Sequence, residues 1–471
     1  MPLKYTWVVR MAKAHATLAL GAYLSFAKSS AAEVTIAKAG KWEVFSQGRV
    51  QAFVSYARGG GLPYVSDTHG NLVRLDGGGL TGLEANREKD PNNQNDPGTI
   101  SSMRVKSGFT GNVLGLGLRR PFNDQTTFKA YMALTTIVES EARRKYRPVF
   151  PDMREGYLEL EGPWGDLLVG RALTLFSRGA TEITYLYAYA YGLGYPGSVD
   201  GTGPAAGHIG FGVLANGFAA GVKYATPKLG GLQLSVGAYD PSALVGRNWE
   251  RTQWLRPEAE LTYDIGLGQT GKIHLFGNGG WQKVYADGDV KSADVWGAGY
   301  GGRFEVGPVH LGLAGHYGKG LGINYALDPS DASTRPPDKG AELRTFDGYY
   351  AQLQVALGRV DVSAGAGVTR IYRLPDDRLD VNDNDGDPAT PAADDDAFPG
   401  EPDAPGFTIL HQELGLSAGV VYHLTDFLHL DLDYFRARFE WYGGSTASGF
   451  FFHPSAAQAV NFFNAGVTAD W

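Results

Sequence analysis

Cysteine is absent, so the chain has no disulfide, no thiolate nucleophile and no Cys-based zinc site. Gly266 to Lys272 has the Gly and Lys spacing of a phosphate-binding loop, but Ile273 stands where a Ser or Thr would hold Mg²⁺, and a strand pattern follows rather than a helix. Gly192 to Gly197 and Gly297 to Gly302 both spell a dinucleotide fingerprint, yet neither opens a helix in a βαβ unit, and the abundance of glycine explains both. No Gly-x-Ser-x-Gly elbow is present, and the ten His show no metal-ligand spacing on a helix. His310 and His316 can face one side of a single strand. A Ser–His pair assembled across strands, as in an embedded lipase, leaves no local signature and stays open at this stage. Asp383 to Asp387 resembles part of a calcium loop, but Val381 and Ala392 replace its first Asp and its closing Glu. The acidic run 376–403 therefore reads as a solvated loop. No catalytic residue, cofactor or metal ligand is assigned, and what remains is fixed charge. Glu182 and Asp200 lie in one long segment together with Arg178, whereas Arg49, Arg104, Lys106, Lys129 and Arg171 lie on segments that read as strands. Charges of both signs facing one another across a water-filled passage select permeating ions by sign and size.

Elements able to hold such charges in a ring must close on themselves. The mature chain reads as strand after strand with period two. Val50, Ala52, Val54 and Tyr56 share one face of the first, and Arg49, Gln51 and Ser55 share the other. Arg104, Lys106 and Lys129 are expected to face inward, with Gly108 and Gly111 marking a bulge that shifts parity. The charged face of Arg256, Glu258, Glu260 and Thr262 has no place in a sandwich core. Strands are expected over 273–284, 295–304, 309–317, 346–357, 360–372, 408–423, 428–441 and 460–471, with short turns at one end and longer polar loops at the other. The total is about sixteen, an even number. No apolar run after the N-terminus is long enough for a membrane helix. A chain that crosses a membrane without one must be a closed barrel, because only closure pairs every backbone group in lipid.

Met1 to Ala32 reads as an export signal. Lys4, Arg10 and Lys13 form its basic front, Ala16 to Ala27 its apolar run, and Ser30 to Ala32 its cleavage site. Removing its four bases, those three and Lys28, takes the net charge from −8 to −12. An acidic chain without a basic cluster is a poor nucleic-acid binder.

Arg154 to Arg171 organises the rest of the chain. Two runs of β-formers flank Gly162-Pro163-Trp164-Gly165, a tight hairpin, and a long, aromatic, Gly-rich segment follows over 172–208. This order resembles the hairpin of Gram-negative general porins, which ends in Leu-Gly-Arg, here Val169-Gly170-Arg171, and leads into the loop that narrows the pore. The final strand, with Phe463 and Trp471 on its apolar face, resembles the family's assembly signal, which usually ends in Phe. The resemblance implies an all-β outer-membrane barrel of about sixteen strands (residues 33–471), with short periplasmic turns and long extracellular loops. It also implies a homotrimer, contacts with outer-membrane lipid and the assembly machinery, and passive diffusion of small hydrophilic solutes. The 172–208 segment becomes the constriction loop, and 374–407 an acidic extracellular loop. In the family the loop's acids face a basic wall, which matches Glu182 and Asp200 to the loop and Arg171 to the wall. Arg178 departs from that pattern, and Arg49, Arg104, Lys106 and Lys129 join the wall by face assignment. Tyr185, Tyr187, Tyr189, Tyr191 and Tyr195 have three readings: packing inside the folded loop, an aromatic track of a sugar-selective porin, or an interfacial belt. A surface β-repeat adhesin is the remaining alternative, although it needs neither the turn asymmetry nor the terminal aromatic.

Overall fold

The computed structural model describes residues 33–66, 72–74, 98–138, 152–187, 204–241, 249–250, 254–286, 292–324, 326–327, 343–373, 379–380, 410–446, 452–453 and 456–471. The signal segment 1–32 and nearly all of the acidic loop 374–407 lie outside them. Among the described residues sixteen antiparallel strands form one closed barrel. They are β1 (Trp42–Gly60), β2 (Thr99–Lys106 continued by Asn112–Pro121), β3 (Thr127–Thr136), β4 (Asp152–Gly162) and β5 (Gly165–Leu173). Next come β6 (Phe218–Ala225), β7 (Leu232–Tyr239), β8 (Arg256–Gly266), β9 (Gly271–Ala286), β10 (Ser292–Val306) and β11 (Val309–Lys319). The series ends with β12 (Thr345–Leu357), β13 (Val360–Tyr372), β14 (Leu410–His423), β15 (Leu428–Trp441) and β16 (Ala457–Asp470). Each strand pairs with its neighbours in sequence, and β16 returns to β1 from Arg49↔Asp470 to Gly59↔Val460.

The alternation read from the sequence decides which face meets which medium. On β1, Val50 and Val54 are exposed outward, whereas Arg49, Gln51, Phe53 and Ser55 are buried inward. Leu430 and Leu432 of β15 repeat the pattern against His429 and Asp431. Apolar outside and polar inside inverts the order of a water-soluble protein and fits a wall surrounded by hydrocarbon. Each outward Val or Leu is worth about 1.5–3 kcal/mol when removed from water. Short turns join the strands at one end, as at Gly162–Gly165 and between Val306 and Val309, while segments such as 174–217 and 373–409 join them at the other.

The bulge on β2 is present. The upper half of β1 pairs with Thr99–Lys106 and the lower half with Asn112–Pro121, so 107–111 interrupts one continuous strand. Thr110 (φ 61°) and Gly111 (φ 87°) occupy the left-handed region there. Before the bulge Met103 and Val105 point outward, and after it Leu114, Leu116 and Leu118 do. The parity switch lets both halves keep an apolar outer row.

Closure is finished by the last residue. Gly48 N–H donates to the Trp471 carbonyl at 2.7 Å, Trp471 N–H donates back at 3.0 Å, and the Trp471 indole N–H donates to Ser46 Oγ at 3.1 Å. A Cβ at Gly48 would lie 2.6 Å from the Trp471 ring, so only glycine fits beneath it. Phe463 is half-exposed on the outer face, packed between Tyr56 and Tyr434 at ring-centroid distances of 6.5 and 5.1 Å. Deleting Trp471, or the substitution Gly48→Val, should lower the yield of heat-modifiable folded barrel several-fold. Wild-type yield from both variants would show that this closure is dispensable.

Candidate functional site: a loop tied across the lumen

The connection from β5 to β6 turns into the barrel and is held by wall side chains from its first residues. Leu175 and Phe176 N–H groups donate to Glu258 Oε2 at 2.7 and 2.8 Å, and Ser177 N–H donates to Asn278 Oδ1 at 3.2 Å. These buried donors would otherwise go unpaired. Ser177 (φ 67°) then turns the chain into a helix, α1 (Arg178–Tyr187), which lies against β10, β11 and β12. Ala180, Ile183 and Thr184 are buried at helical spacing, so this segment is a helix in the lumen and not a strand of the wall. The Arg178 guanidinium contacts Glu260 directly, and both side chains are buried. Burial pushes the Arg178 guanidinium below its ordinary pKa. Glu182 lies 3.8 Å from Arg303 of β10.

The returning limb, 204–217, is tied to the opposite side. Ala205 N–H donates to the Gly108 carbonyl at 3.1 Å, and the Ala205 carbonyl accepts from Thr110 N–H at 3.0 Å. The β2 bulge thus supplies backbone groups that a regular ladder would have consumed. His208 Nε2 lies 2.8 Å from Ser417 Oγ of β14, Gly212 N–H donates to Thr369 Oγ1 of β13 at 2.9 Å, and Ala215 N–H donates to the Asn324 carbonyl at 2.8 Å. Burial pushes the His208 imidazole down to about 3, which keeps it neutral near pH 7. The pair His208–Ser417, between loop and wall, is a Ser–His contact that local spacing could not exclude. Among the described residues no carboxylate is hydrogen-bonded to the His208 Nδ1, so the orienting acid of a hydrolytic triad is missing there. Phe176, Phe211 and Leu214 of the loop pack into one buried cluster with Phe346, Ile371, Phe435, Phe439 and Trp441 of the wall. Phe211 meets the Phe435 and Phe439 rings edge to face, at 5.3 and 5.6 Å. Apolar packing and hydrogen bonds therefore act together to draw the loop inward.

The residues singled out by sequence divide among several places. Arg104 and Lys106 face the lumen on β2, and Lys106 is fully buried. Arg49 also faces inward and donates to the Phe109 carbonyl at 2.8 Å, so it braces the bulge. Lys129 faces inward but lies beside the β2–β3 turn, 3.9 Å from both Glu33 and Glu159, away from the loop. Arg171 corrects the expectation. It shares the outward row with Val169 and pairs with Gly156 and Ala220, whose rows expose Leu158 and Val222 outward. Period two therefore places it on the outer wall and outside any constriction. The loop itself spans 174–217 rather than 172–208. Asp200, Tyr189, Tyr191 and Tyr195 lie outside the described residues, and Tyr185 and Tyr187 fall in α1. The calcium-like run also lies outside them; among the described residues no group of three or more His, Asp or Glu is arranged to hold a metal. Glu258, Glu260, Arg303 and His208 were not singled out. Glu258 and Glu260 were legible as a charged strand face, but nothing local tied them to residues some 80 positions earlier.

The ion pair at the start of α1 makes a direct prediction. Arg178→Met leaves Glu260 buried without the guanidinium in contact with it, at a cost of about 3–5 kcal/mol, and Glu260→Gln removes the carboxylate in contact with Arg178, whereas the double substitution Arg178→Met/Glu260→Met removes both charges. The single variants should melt at lower temperature in detergent and open the loop to protease, and the double variant should recover most of both. Single variants indistinguishable from wild type would show that the pair does not hold the loop.

A family model described as Gram-negative porin matches residues 16–394. No curated protein matches the chain. Among solved structures, the outer membrane channel DcaP of Acinetobacter baumannii superposes with a TM-score of 0.57 at 13% identity, covering 93% of this chain and 100% of that one. An anion-selective porin from Comamonas acidovorans follows with a TM-score of 0.51 at 13% identity, covering 91% and 100%. A trimer form of OmpT from Vibrio cholerae has a TM-score of 0.49 at 12% identity, covering 91% and 99%. At such identities the likeness of structures concerns the fold; membership rests on the family match over most of the chain. The chain belongs to the Gram-negative porin family, as an outer-membrane channel and not an enzyme.

Proposed function

We propose that the 174–217 loop sets the width and charge of a water-filled lumen through which small hydrophilic solutes and ions diffuse passively. The observation that carries this reading is that the loop is tied to two sides of the wall, through Glu258 and Glu260 on β8 and through Ser417 and Thr369 on β14 and β13. A segment tied at both sides narrows the passage without needing to move. On the β1–β2 side the lumen-facing charges Arg49, Arg104 and Lys106 are basic. Near α1 the charges are matched in pairs: Arg178 with Glu260, Glu182 with Arg303, and Arg256 with Glu258 at 2.8 Å. Glu182 and Asp200 are the acids through which the loop contributes to the transverse field, and fixed charges at such a narrowing select ions.

We further infer a homotrimer. Its support on the molecule is an outer-face hollow of about 530 Å³ beside the Tyr56–Phe463–Tyr434 rings, lined in part by Ala418 and Ala465. Small residues beside an aromatic row give the close approach that a subunit contact in lipid requires. A detergent-purified particle of three chain masses would support this, and a monomer would contradict it.

Neutralising Glu182→Gln and Asp200→Asn together leaves Arg303 without its counter-charge. Selectivity should then shift toward anions, read as a displaced reversal potential in a salt gradient. An unchanged reversal potential would remove both acids from the constriction.

A further inference from the structure

Four lumen-facing side chains on adjacent strands form a chain at the turn end of the barrel, and the channel reading makes no use of them. Asp361 Oδ2 of β13 lies 2.6 Å from His423 Nε2 of β14. His423 Nδ1 lies 2.8 Å from His429 Nδ1 of β15. His429 Nε2 lies 3.5 Å from Asp470 Oδ2 of β16. His423 and His429 are directly opposed in the β14–β15 ladder, on either side of the turn 424–427, with their rings nearly perpendicular at 85°. Directly opposed residues keep their Cβ atoms about 4.5–5.5 Å apart, so the ladder brings the two imidazoles together.

An Nδ1 to Nδ1 contact of 2.8 Å holds one hydrogen and no more. The lone pair of one ring and the N–H of the other point at the same spot. His423 Nε2 is hydrogen-bonded to the Asp361 carboxylate, the arrangement in which a second-shell acceptor fixes the tautomer and orientation of metal-bound His, and Asp470 lies within ion-pair distance of His429 Nε2. A metal ion bonded to both Nδ1 atoms at about 2.0–2.1 Å in tetrahedral geometry would need them about 3.3 Å apart. That is an opening of about half an ångström from the 2.8 Å contact, within reach of small ring rotations. Side-chain exposure differs across the pair: His423 is one-quarter exposed and His429 is buried. Water can therefore complete the coordination from the His423 side. Asp361 and Asp470, with Asp431 next along the inner row of β15, supply negative charge for a cation; Arg49, which pairs in register with Asp470, is the base nearest in the ladder.

We propose that His423 and His429 form a reversible site for a divalent transition metal of the Zn²⁺ class, in which the ion takes the place of the hydrogen between their Nδ1 atoms, that proton moves to His429 Nε2 facing Asp470, and Asp361 holds the His423 ring. Imidazole donors favour Zn²⁺, Cu²⁺ or Ni²⁺ over the oxygen-seeking Ca²⁺ and Mg²⁺. With two protein ligands in place of the four of a closed structural site, the metal is exchangeable and the barrel does not depend on it for folding.

The test is calorimetric titration of zinc chloride into the detergent-purified folded barrel near neutral pH, with calcium chloride as the control. The expected result is one saturable Zn²⁺ per chain and none for Ca²⁺. His423→Ala and His429→Ala should each weaken binding at least about tenfold, and Asp361→Asn about tenfold, as loss of a second-shell partner does. Lowering the pH should weaken it further, because protons compete for the ligand nitrogens. Heat-modifiable migration checks that each variant is folded, and Asp361→Asn keeps both imidazoles should a histidine variant fail to fold. Absence of saturable Zn²⁺ binding to the wild type, or binding that survives every one of these substitutions, would overturn the site.

Discussion

Everything in this barrel depends on one constraint: a backbone N–H or C=O group facing hydrocarbon has no water to pair with. The ladder must close, and it closes on the last residue, where Trp471 and Gly48 exchange two backbone hydrogen bonds. The break within β2 at 107–111 is tolerated because its freed groups turn to the lumen. There Gln51 Nε2 donates to the Gly111 carbonyl at 2.8 Å, Arg49 donates to that of Phe109, and Ala205 takes the groups of Gly108 and Thr110. A local irregularity of the wall becomes the anchor of the loop.

The same accounting explains the inner loop. A chain entering the barrel carries backbone donors away from bulk water, and Glu258, Asn278 and Thr369 receive three sets of them. Charge follows from this demand. Carboxylates brought inward to accept hydrogen bonds from the loop need counter-charges, which Arg256 and Arg178 provide. The loop's charged residues thus have structural partners as well as an electrostatic influence on the passage. An apolar cluster lies beneath the loop, and charged strands border the passage beside it.

Much of the wall was legible in the sequence because period two has one consequence wherever lipid lies on one side. Val50 and Val54 against Arg49 and Gln51 fixed the facing of β1, and Gly108 with Gly111 announced the bulge. The hairpin at Gly162–Gly165 followed from turn chemistry alone. The Val169-Gly170-Arg171 ending points Arg171 to the pore wall, but the alternation of β5 puts it in the outward row beside Val169. The helix α1 and the end of the loop at 217 were not legible. They are settled by contacts with strands far away in sequence, such as Arg178 with Glu260 and His208 with Ser417, for which no local spacing exists.

Single-channel conductance of the detergent-purified protein in a planar bilayer tests the central claim most directly. An open lumen narrowed by a fixed loop predicts stepwise currents of uniform size that scale with salt concentration and rise when the loop's ties to β13 and β14 are cut by Thr369→Ala and Ser417→Ala. Folded protein that inserts yet carries no current would contradict the account, because the loop would then be a plug and not a constriction.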